Sequence, residues 1–108
     1  MTHHPELIRH ILDHVARGEG RVETAEIPAP AAHSADTVAR HVALLIEHKL
    51  MDGTEHVVQG LTEKGHALRR ALHDKDVRAK IKHAGEHLGK DVTIEIILDI
   101  AKTFLLGL

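Results

Sequence analysis

This chain contains no cysteine, tryptophan or tyrosine, and Phe104 is its single phenylalanine. The lack of cysteine excludes a disulfide framework, a thiolate metal ligand and a thiol nucleophile. The lack of aromatic rings removes the stacking platform that binds single-stranded nucleic acid, so no RNA partner is expected. The Gly18-Glu19-Gly20 segment is a turn and not a phosphate-binding loop, and the one serine, Ser34, suits a helix cap. We therefore expect no enzymatic activity.

Long apolar runs are also missing. The first ten residues lack the apolar core of a signal peptide. The apolar C-terminal segment 92–108 is interrupted by Glu95, Asp99 and Lys102, and it is too short and too charged to span a bilayer. A chain of 108 residues has the length of one domain and can bury one core. These features predict a soluble, cytoplasmic, single-domain protein without a membrane partner.

Charge is distributed unevenly along the chain, although the net charge is only −2. Residues 1–63 carry 5 lysines and arginines against 10 acidic residues, whereas residues 64–90 carry 8 against 3. Attraction to a polyanion must therefore come mainly from the segment 64–90. The 12 histidines add a charge that depends on pH, because the reference pKa of histidine is about 6.5.

Apolar residues at helical spacing dominate the first half of the chain. They predict a first helix over residues 5–16, with a proline in its first turn. The segment 21–33 does not predict a helix, because its two prolines impose extended or turn geometry, and residues 22–27 could form a short strand. Ser34 is a good N-cap for a second helix, which carries an apolar stripe to Leu50.

A short β excursion is predicted after this second helix. Asp52-Gly53 favours a turn, residues 56–59 favour a strand, and Thr62 can cap the next helix. The order of helix, two-stranded excursion and helix indicates a mainly α domain with a small β wing. We interpret it as a winged-helix-like domain with extra C-terminal helices. Residues 1–74 would form the winged-helix-like core, and residues 75–108 would form helices that could mediate dimerisation.

Five sequence runs carry a resemblance to a known family: LIRHIL, HVALLIEHKL, LTEKGH, KDVRAKIK and IAKTFL. Through them the chain resembles an uncharacterised bacterial and phage family, a domain of unknown function with a winged-helix-like core. The match extends over nearly the whole chain and is sharpest at Val42–Leu50 and Leu61–His66. More loosely, the chain is similar to the wing-and-helix segment of bacterial winged-helix transcriptional regulators. The resemblance implies a fold, and it carries over no activity and no functional residue.

Lys49 departs from the pattern of the resembled family. Such proteins usually have glycine before the leucine that ends this helix, and here that position is lysine. If Lys49 adopts the left-handed conformation, the cost is about 1 kcal/mol relative to glycine. The alternative is that the helix ends differently.

The first functional hypothesis is a non-catalytic transcriptional regulator that binds double-stranded DNA. The helix over residues 34–49 would lie in the major groove, with Arg40 reaching a guanine edge and Thr37 a base or a phosphate. The acidic first half of the chain opposes this docking, because affinity comes mostly from phosphate neutralisation. Further phosphate contacts would come from basic side chains after residue 63, provided that enough of them share a face: Lys64, Arg69, Arg70, Lys75, Arg78, Lys80 and Lys82. Alternatively, these side chains lie on solvated helix faces.

The second hypothesis is a protein-interaction or assembly module that does not bind nucleic acid. Symmetric homodimers are the commonest oligomers, and the C-terminal helices are apolar enough to mediate one. The interface would be formed by apolar side chains at helical spacing: Val77, Ile81, Leu88, Ile97, Ile100, Phe104 and Leu105. The alternative is that both helices complete the core of a monomer.

Histidine pairs raise the question of a metal site. His10/His14 and His83/His87 are spaced to share one helical face, and the segment 83–87 matches an inverted zinc-protease pattern. With 12 histidines such spacings arise by chance, and neither pair has a clear third ligand. We therefore predict no metal and no cofactor.

His41 and His66 are expected to be partly buried imidazoles that hydrogen-bond a carbonyl or a carboxylate. His41 lies beside the apolar stripe of the second helix, and His66 follows the Leu-Thr-x-x-Gly turn. A sharper alternative for this pair is a pH-sensitive hinge between helix and wing.

Overall fold

The computed structural model describes residues 3–18, 20–88 and 92–106, except for the side chains of Leu88, Leu105 and Leu106. The interface predictions at Leu88 and Leu105 therefore lie outside the described residues. Within these ranges the chain forms five α-helices, three strands and a 3₁₀ turn. In chain order these are α1 (Pro5–Arg17), β1 (Val22–Glu23), the 3₁₀ turn (Thr24–Glu26), α2 (Ala35–Glu47), β2 (Met51–Gly53), β3 (Val57–Leu61), α3 (Glu63–His73), α4 (Lys75–Leu88) and α5 (Ile94–Leu106).

Side-chain caps begin three of the helices, and two of these caps, Ser34 and Thr62, lie at predicted positions. The hydroxyls of Ser34 and Thr62 accept backbone hydrogen bonds at 3.2 and 3.0 Å, and they start α2 and α3. The Asp74 carboxylate accepts two backbone N–H groups at 2.9 and 3.1 Å and starts α4. Lys49 has φ of 61°, so it adopts the left-handed conformation after α2. The Thr62 hydroxyl donates to the Lys49 carbonyl at 2.7 Å, which ties this turn to the start of α3.

The three strands form one antiparallel sheet in the order β1-β3-β2. The central strand β3 pairs with β1 at Val22 and Val58. The turn predicted near Asp52-Gly53 lies just after these residues, because Asp52 and Gly53 pair with β3 and the chain reverses at residues 54–56. The register is irregular at this point, and Gly53 accommodates it with φ of 125°, a conformation that favours glycine.

The segment between β1 and α2 contains no α-helix, as its prolines predict. The chain makes only a two-residue strand and a 3₁₀ turn here, where residues 22–27 were expected to form a strand. An extended stretch with Pro28 and Pro30 then leads to the cap of α2. This stretch brings His33 against the N-terminal end of α1, close to Glu6.

One hydrophobic core joins all five helices to the sheet. Its fully buried side chains come from the apolar stripes of α1, α2 and α3, from β2 and β3, and from the inner faces of α4 and α5. The protein is thus mainly α with a small antiparallel sheet. Among the described residues, no helix is both long enough and apolar enough to cross a membrane.

Candidate functional site

The exposed face of α2 carries the two residues predicted to read DNA bases. Arg40 is exposed, and it forms no ion pair with the acidic side chains that the structure describes. Thr37 is half-buried, and its hydroxyl lies 3.0 Å from the Ser34 hydroxyl within the helix cap. Arg40 is therefore free to contact a partner, whereas Thr37 is engaged at the start of its own helix.

A groove of about 550 Å³ lies between α2, the 3₁₀ turn and the β2–β3 hairpin. Its lining is largely apolar: Ala25, Ile27, Ala35, Val38, Ala39 and Val57. Three exposed carboxylates border it, those of Glu23, Asp36 and Glu55. Lysine and arginine are absent from its described lining residues. We call this the α2–hairpin groove, and it combines an apolar floor with an acidic rim.

The basic side chains predicted to contact phosphates are spread over the molecule. Lys64 borders a groove between α3 and α5, whereas Lys80 borders a separate depression on α4. Arg70 and Lys75 are exposed on α3 and α4. A continuous phosphate-binding surface requires these cations to share one face. Lys64 and Lys80 border different surfaces. This spread weakens the case for a continuous phosphate-binding surface.

Three cations do converge at one place. Arg9 of α1 and Arg78 and Lys82 of α4 all border a groove of about 560 Å³. Glu6 and Glu86 border the same groove and offset part of its positive charge.

Arg69 is engaged in an ion pair inside the molecule. Its Nε donates to Asp13 Oδ1 at 2.7 Å, and His73 Nε2 lies 2.7 Å from the same oxygen. Burial opposes ionisation of Asp13, but hydrogen bonds from His73 and Arg69 outweigh it and lower the pKa of the Asp13 carboxyl. These contacts join α1 to α3, so Arg69 contributes to the fold through its Nε.

The interface predicted on α4 and α5 is largely covered within the chain. Val77, Ile81 and Ile97 are at most 2% exposed and belong to the core. Ile100 and Phe104 are half-buried, so part of each remains accessible. A homodimer through this face stays a prediction, and among the described residues it rests on Ile100 and Phe104.

Four histidines meet near the N-terminal end of α2: His3, His4, His33 and His41. We call them the histidine cluster. The ring centroid of His4 lies 4.6 Å from that of His33 and 5.8 Å from that of His41. The cluster joins the segment before α1 to the segment before α2, although these two segments are far apart in the sequence.

His41 holds this cluster in place from within the core. It is fully buried, its Nε2 accepts the backbone N–H of His4 at 3.2 Å, and its Nδ1 lies 2.8 Å from the Thr37 carbonyl. Because Nε2 accepts, Nδ1 must carry the proton and donate, which makes this imidazole neutral. Burial lowers the pKa of His41, and the hydrogen bond to Thr37 opposes that shift only in part. The expected hydrogen-bonded imidazole is confirmed at His41, but it is wrong for His66, which is exposed on α3.

His3 connects the same region to α5. Its backbone N–H donates to the Val92 carbonyl at 2.9 Å, and its Nδ1 accepts the Ile94 N–H at 2.7 Å. The imidazole therefore satisfies one of the free N–H groups at the start of α5. Burial lowers the pKa of His3, although the nearby Glu95 carboxylate acts in the opposite direction.

Three donor atoms come together at the solvent side of the histidine cluster. Glu6 Oε1 lies 3.7 Å from His4 Nδ1 and 3.8 Å from His33 Nε2. No two of the three atoms are more than 4.8 Å apart. The His33 side chain is only 10% exposed, whereas that of Glu6 is 63% exposed.

The histidine pairs suggested by helical spacing do not gather further donors. His10 Nε2 lies 2.8 Å from the Pro28 carbonyl, and the rings of His83 and His87 stack with centroids 6.0 Å apart. Among the residues that the structure describes, neither pair belongs to a group of three donors. Helical spacing does not reveal Glu6 and His33, because it relates residues within one helix and these two lie in different elements.

No family model, curated protein or solved structure matches the chain. The resemblance to a bacterial and phage family stays a prediction.

Proposed function

We propose that this protein is a non-catalytic, winged-helix-like regulatory module that binds another macromolecule through α2 and the β2–β3 hairpin. The sheet order β1-β3-β2, with α2 directly before the hairpin, supports the winged-helix-like interpretation. In place of the second helix of an ordinary helix-turn-helix, the chain has the 3₁₀ turn Thr24–Glu26. The binding surface is then the α2–hairpin groove, which this turn also lines.

The acidic rim of this groove is the observation that decides between partners. A DNA duplex docked here would bring its phosphates against Glu23, Asp36 and Glu55, which repel them. A protein segment with lysine or arginine beside apolar side chains would instead pair its charges with the rim and bury its apolar groups on the floor. We therefore favour a basic, amphipathic protein segment as the partner. The sequence alone favoured DNA over a protein partner, and this preference is reversed here because only the fold brings these carboxylates to one groove.

Double-stranded DNA is the second candidate, and Arg40 is the observation that favours it. This side chain is exposed on α2 and is free of ion pairs among the described residues. Arg9, Arg78 and Lys82 supply a separate group of converging cations. A duplex would have to reach these cations while avoiding the acidic rim.

Fluorescence anisotropy distinguishes the two partners. We would titrate the protein into a labelled random DNA duplex and, separately, into a labelled peptide of alternating lysine and leucine, at about 50 and about 200 mM salt. We expect the peptide to bind with an affinity that falls as the salt concentration rises. We expect the duplex to show no binding at either salt concentration. Salt-sensitive binding of the duplex that Arg40→Ala abolishes would overturn the protein-partner proposal in favour of DNA.

Neutralising the rim tests the location of the peptide. We expect the double variant Asp36→Asn/Glu55→Gln to weaken peptide binding about tenfold, because two attractive charges are lost. Asp99→Asn is the matched control, since Asp99 is an exposed carboxylate on α5 outside this groove. Equal weakening by the control would mean that the peptide responds to the overall charge and not to the α2–hairpin groove.

A further inference from the structure

We propose that His4, Glu6 and His33 form a binding site for a zinc-class transition metal ion. The three residues come from the segment before α1, the first turn of α1 and the segment before α2. The site is separate from the α2–hairpin groove, and none of its ligands borders that groove. The proposal therefore does not depend on the identity of the macromolecular partner.

The spacing of the donor atoms fits a tetrahedral ion. Ligand atoms at about 2.0–2.2 Å from tetrahedral zinc lie about 3.3–3.6 Å from one another. The distances from Glu6 Oε1 to His4 Nδ1 and His33 Nε2 are 3.7 and 3.8 Å, and no pair of donors exceeds 4.8 Å. Side-chain rotations that shorten the two Glu6 distances by a few tenths of an ångström would bring them to tetrahedral spacing.

Hydrogen bonding does not account for this arrangement. Contacts of 3.7 and 3.8 Å are too long for hydrogen bonds, and no side-chain hydrogen bond joins any two of the three within the described part of the chain. These three potential ligand atoms converge without hydrogen bonds between them. An ion placed among them could be bound by all three. The Glu6 side chain is 63% exposed, so solvent reaches the carboxylate that would hold the ion.

The surrounding structure holds the two imidazoles near these positions. The backbone of His4 is fixed by its hydrogen bond to the buried His41 ring. The backbone N–H of His33 donates to the Pro30 carbonyl at 2.9 Å, and its side chain is 10% exposed. A site with supported ligands loses less conformational entropy on binding than one assembled from free side chains.

The donor set selects the class of metal. Two imidazole nitrogens and one carboxylate oxygen suit zinc and its neighbours, whereas magnesium and calcium prefer sites made of oxygen alone. A bound ion would connect α1 to the start of α2 through Glu6 and His33. We therefore expect zinc to raise the Tm of the protein, because an ion that binds only the folded chain stabilises it.

Metal titration of the untagged full chain tests the proposal. We would measure uptake of zinc by calorimetry and binding of cobalt by its visible absorption, which reports the coordination geometry. We expect one equivalent of either ion, a tetrahedral cobalt spectrum and a higher Tm with zinc. If neither zinc nor cobalt is taken up stoichiometrically at micromolar concentrations, the proposed metal site is wrong.

Single-ligand variants locate the bound ion. We expect Glu6→Gln and His33→Gln each to weaken zinc binding by about tenfold or more, and circular dichroism would verify that they remain folded. Glu6 is exposed, so its variant tests the site even if His33→Gln fails to fold. The matched control is His83→Gln/His87→Gln, which removes an exposed histidine pair on α4 and should leave binding unchanged. Binding that is lost in this control, or unchanged in both ligand variants, would assign the ion to adventitious histidines.

Discussion

The two ends of α1 are held in the fold by polar groups of opposite character. At the N-terminal end, the neutral His41 ring accepts the backbone N–H of His4 from inside the core. Towards the C-terminal end, the ionised Asp13 carboxylate receives Arg69 and His73 from α3. The first contact requires an uncharged group, and the second requires a charged one.

This difference shows how burial selects the chemistry of a tertiary contact. His41 is 0% exposed, so a charge there would lose its hydration, and the contact uses a neutral donor and acceptor. The Asp13 side chain is 19% exposed and has two nitrogen partners, so its charge remains favourable. Acid should therefore weaken both contacts, but in separate pH ranges.

Removal of the buried imidazole should have the largest effect. We expect His41→Ala to lower the free energy of unfolding by about 2–4 kcal/mol, because it leaves a cavity and an unpaired His4 N–H. Urea denaturation at neutral pH measures this change. The control His66→Ala removes an exposed imidazole and should change stability by less than about 0.5 kcal/mol. A similar small change for both variants would mean that His41 does not support the N-terminal segment.

Removal of the charge at Asp13 should have a smaller effect. We expect Asp13→Asn to lower the free energy of unfolding by about 1 kcal/mol, since Arg69 and His73 are partly exposed and solvent screens the interaction. The same denaturation experiment measures it. Asp99→Asn, which removes an exposed carboxylate on α5, should leave stability nearly unchanged and serves as the control. The assignment would be wrong if the two variants lost equal stability.

The pH dependence of stability separates the two contacts. The pKa of His41 is lower in the folded chain than its ordinary value of 6.5, so the unfolded chain takes up this proton first as the pH falls. The contribution of His41 is thus present above pH 6.5 and is lost as the pH falls through its folded pKa. The contribution of Asp13 is lost only in stronger acid, as the pH falls below 3.8 through its own lowered pKa.

Thermal unfolding from about pH 7.5 to about pH 5 checks this separation. The experiment includes a chelator, so that no bound metal contributes to stability. We expect the wild-type protein to lose stability across this range, His41→Ala to lose less, and Asp13→Asn to lose as much as the wild type. Equal losses in the wild type and His41→Ala would show that other groups cause the dependence.

Substitution of Thr24 should give the smallest effect, because it removes only a buried hydroxyl that has no hydrogen-bond partner among the described residues. Thr24 is 8% exposed, and its hydroxyl makes no hydrogen bond within the described residues. We expect Thr24→Val to raise the free energy of unfolding by up to about 1 kcal/mol, since it removes an unsatisfied group of similar shape. Urea denaturation measures the gain, and Thr54→Val is a control that should destabilise, because the Thr54 hydroxyl accepts two backbone hydrogen bonds. A loss of stability in Thr24→Val would show that its hydroxyl is satisfied.

Local chemistry made the helix starts predictable. Ser34 and Thr62 accept hydrogen bonds from backbone N–H groups three residues further along, so their predicted roles depend only on nearby sequence. For Lys49 the sequence left two alternatives, and the structure shows the left-handed one. The turn predicted near Asp52-Gly53 lies at residues 54–56 instead, because pairing with β3 extends β2 through Gly53.

Long-range placement explains why the candidate sites were not predictable. Glu6 and His33 become neighbours only after the extended stretch with Pro28 and Pro30 returns the chain to α1. Similarly, Glu23 and Glu55 meet at one groove because β1 and β3 are paired. Periodicity within one helix carries no information about such encounters.

The sequence by itself determined which segments become helices, where two of them are capped, and that the protein is mainly α with a small sheet. Those properties depend on interactions among residues close in the chain, where apolar spacing and capping act directly. The tertiary structure alone decided that His41 is buried and neutral, that Arg69 pairs with Asp13, and that Glu6 meets two imidazoles. These properties depend on packing between distant segments, because burial sets both which groups meet and whether they can carry charge.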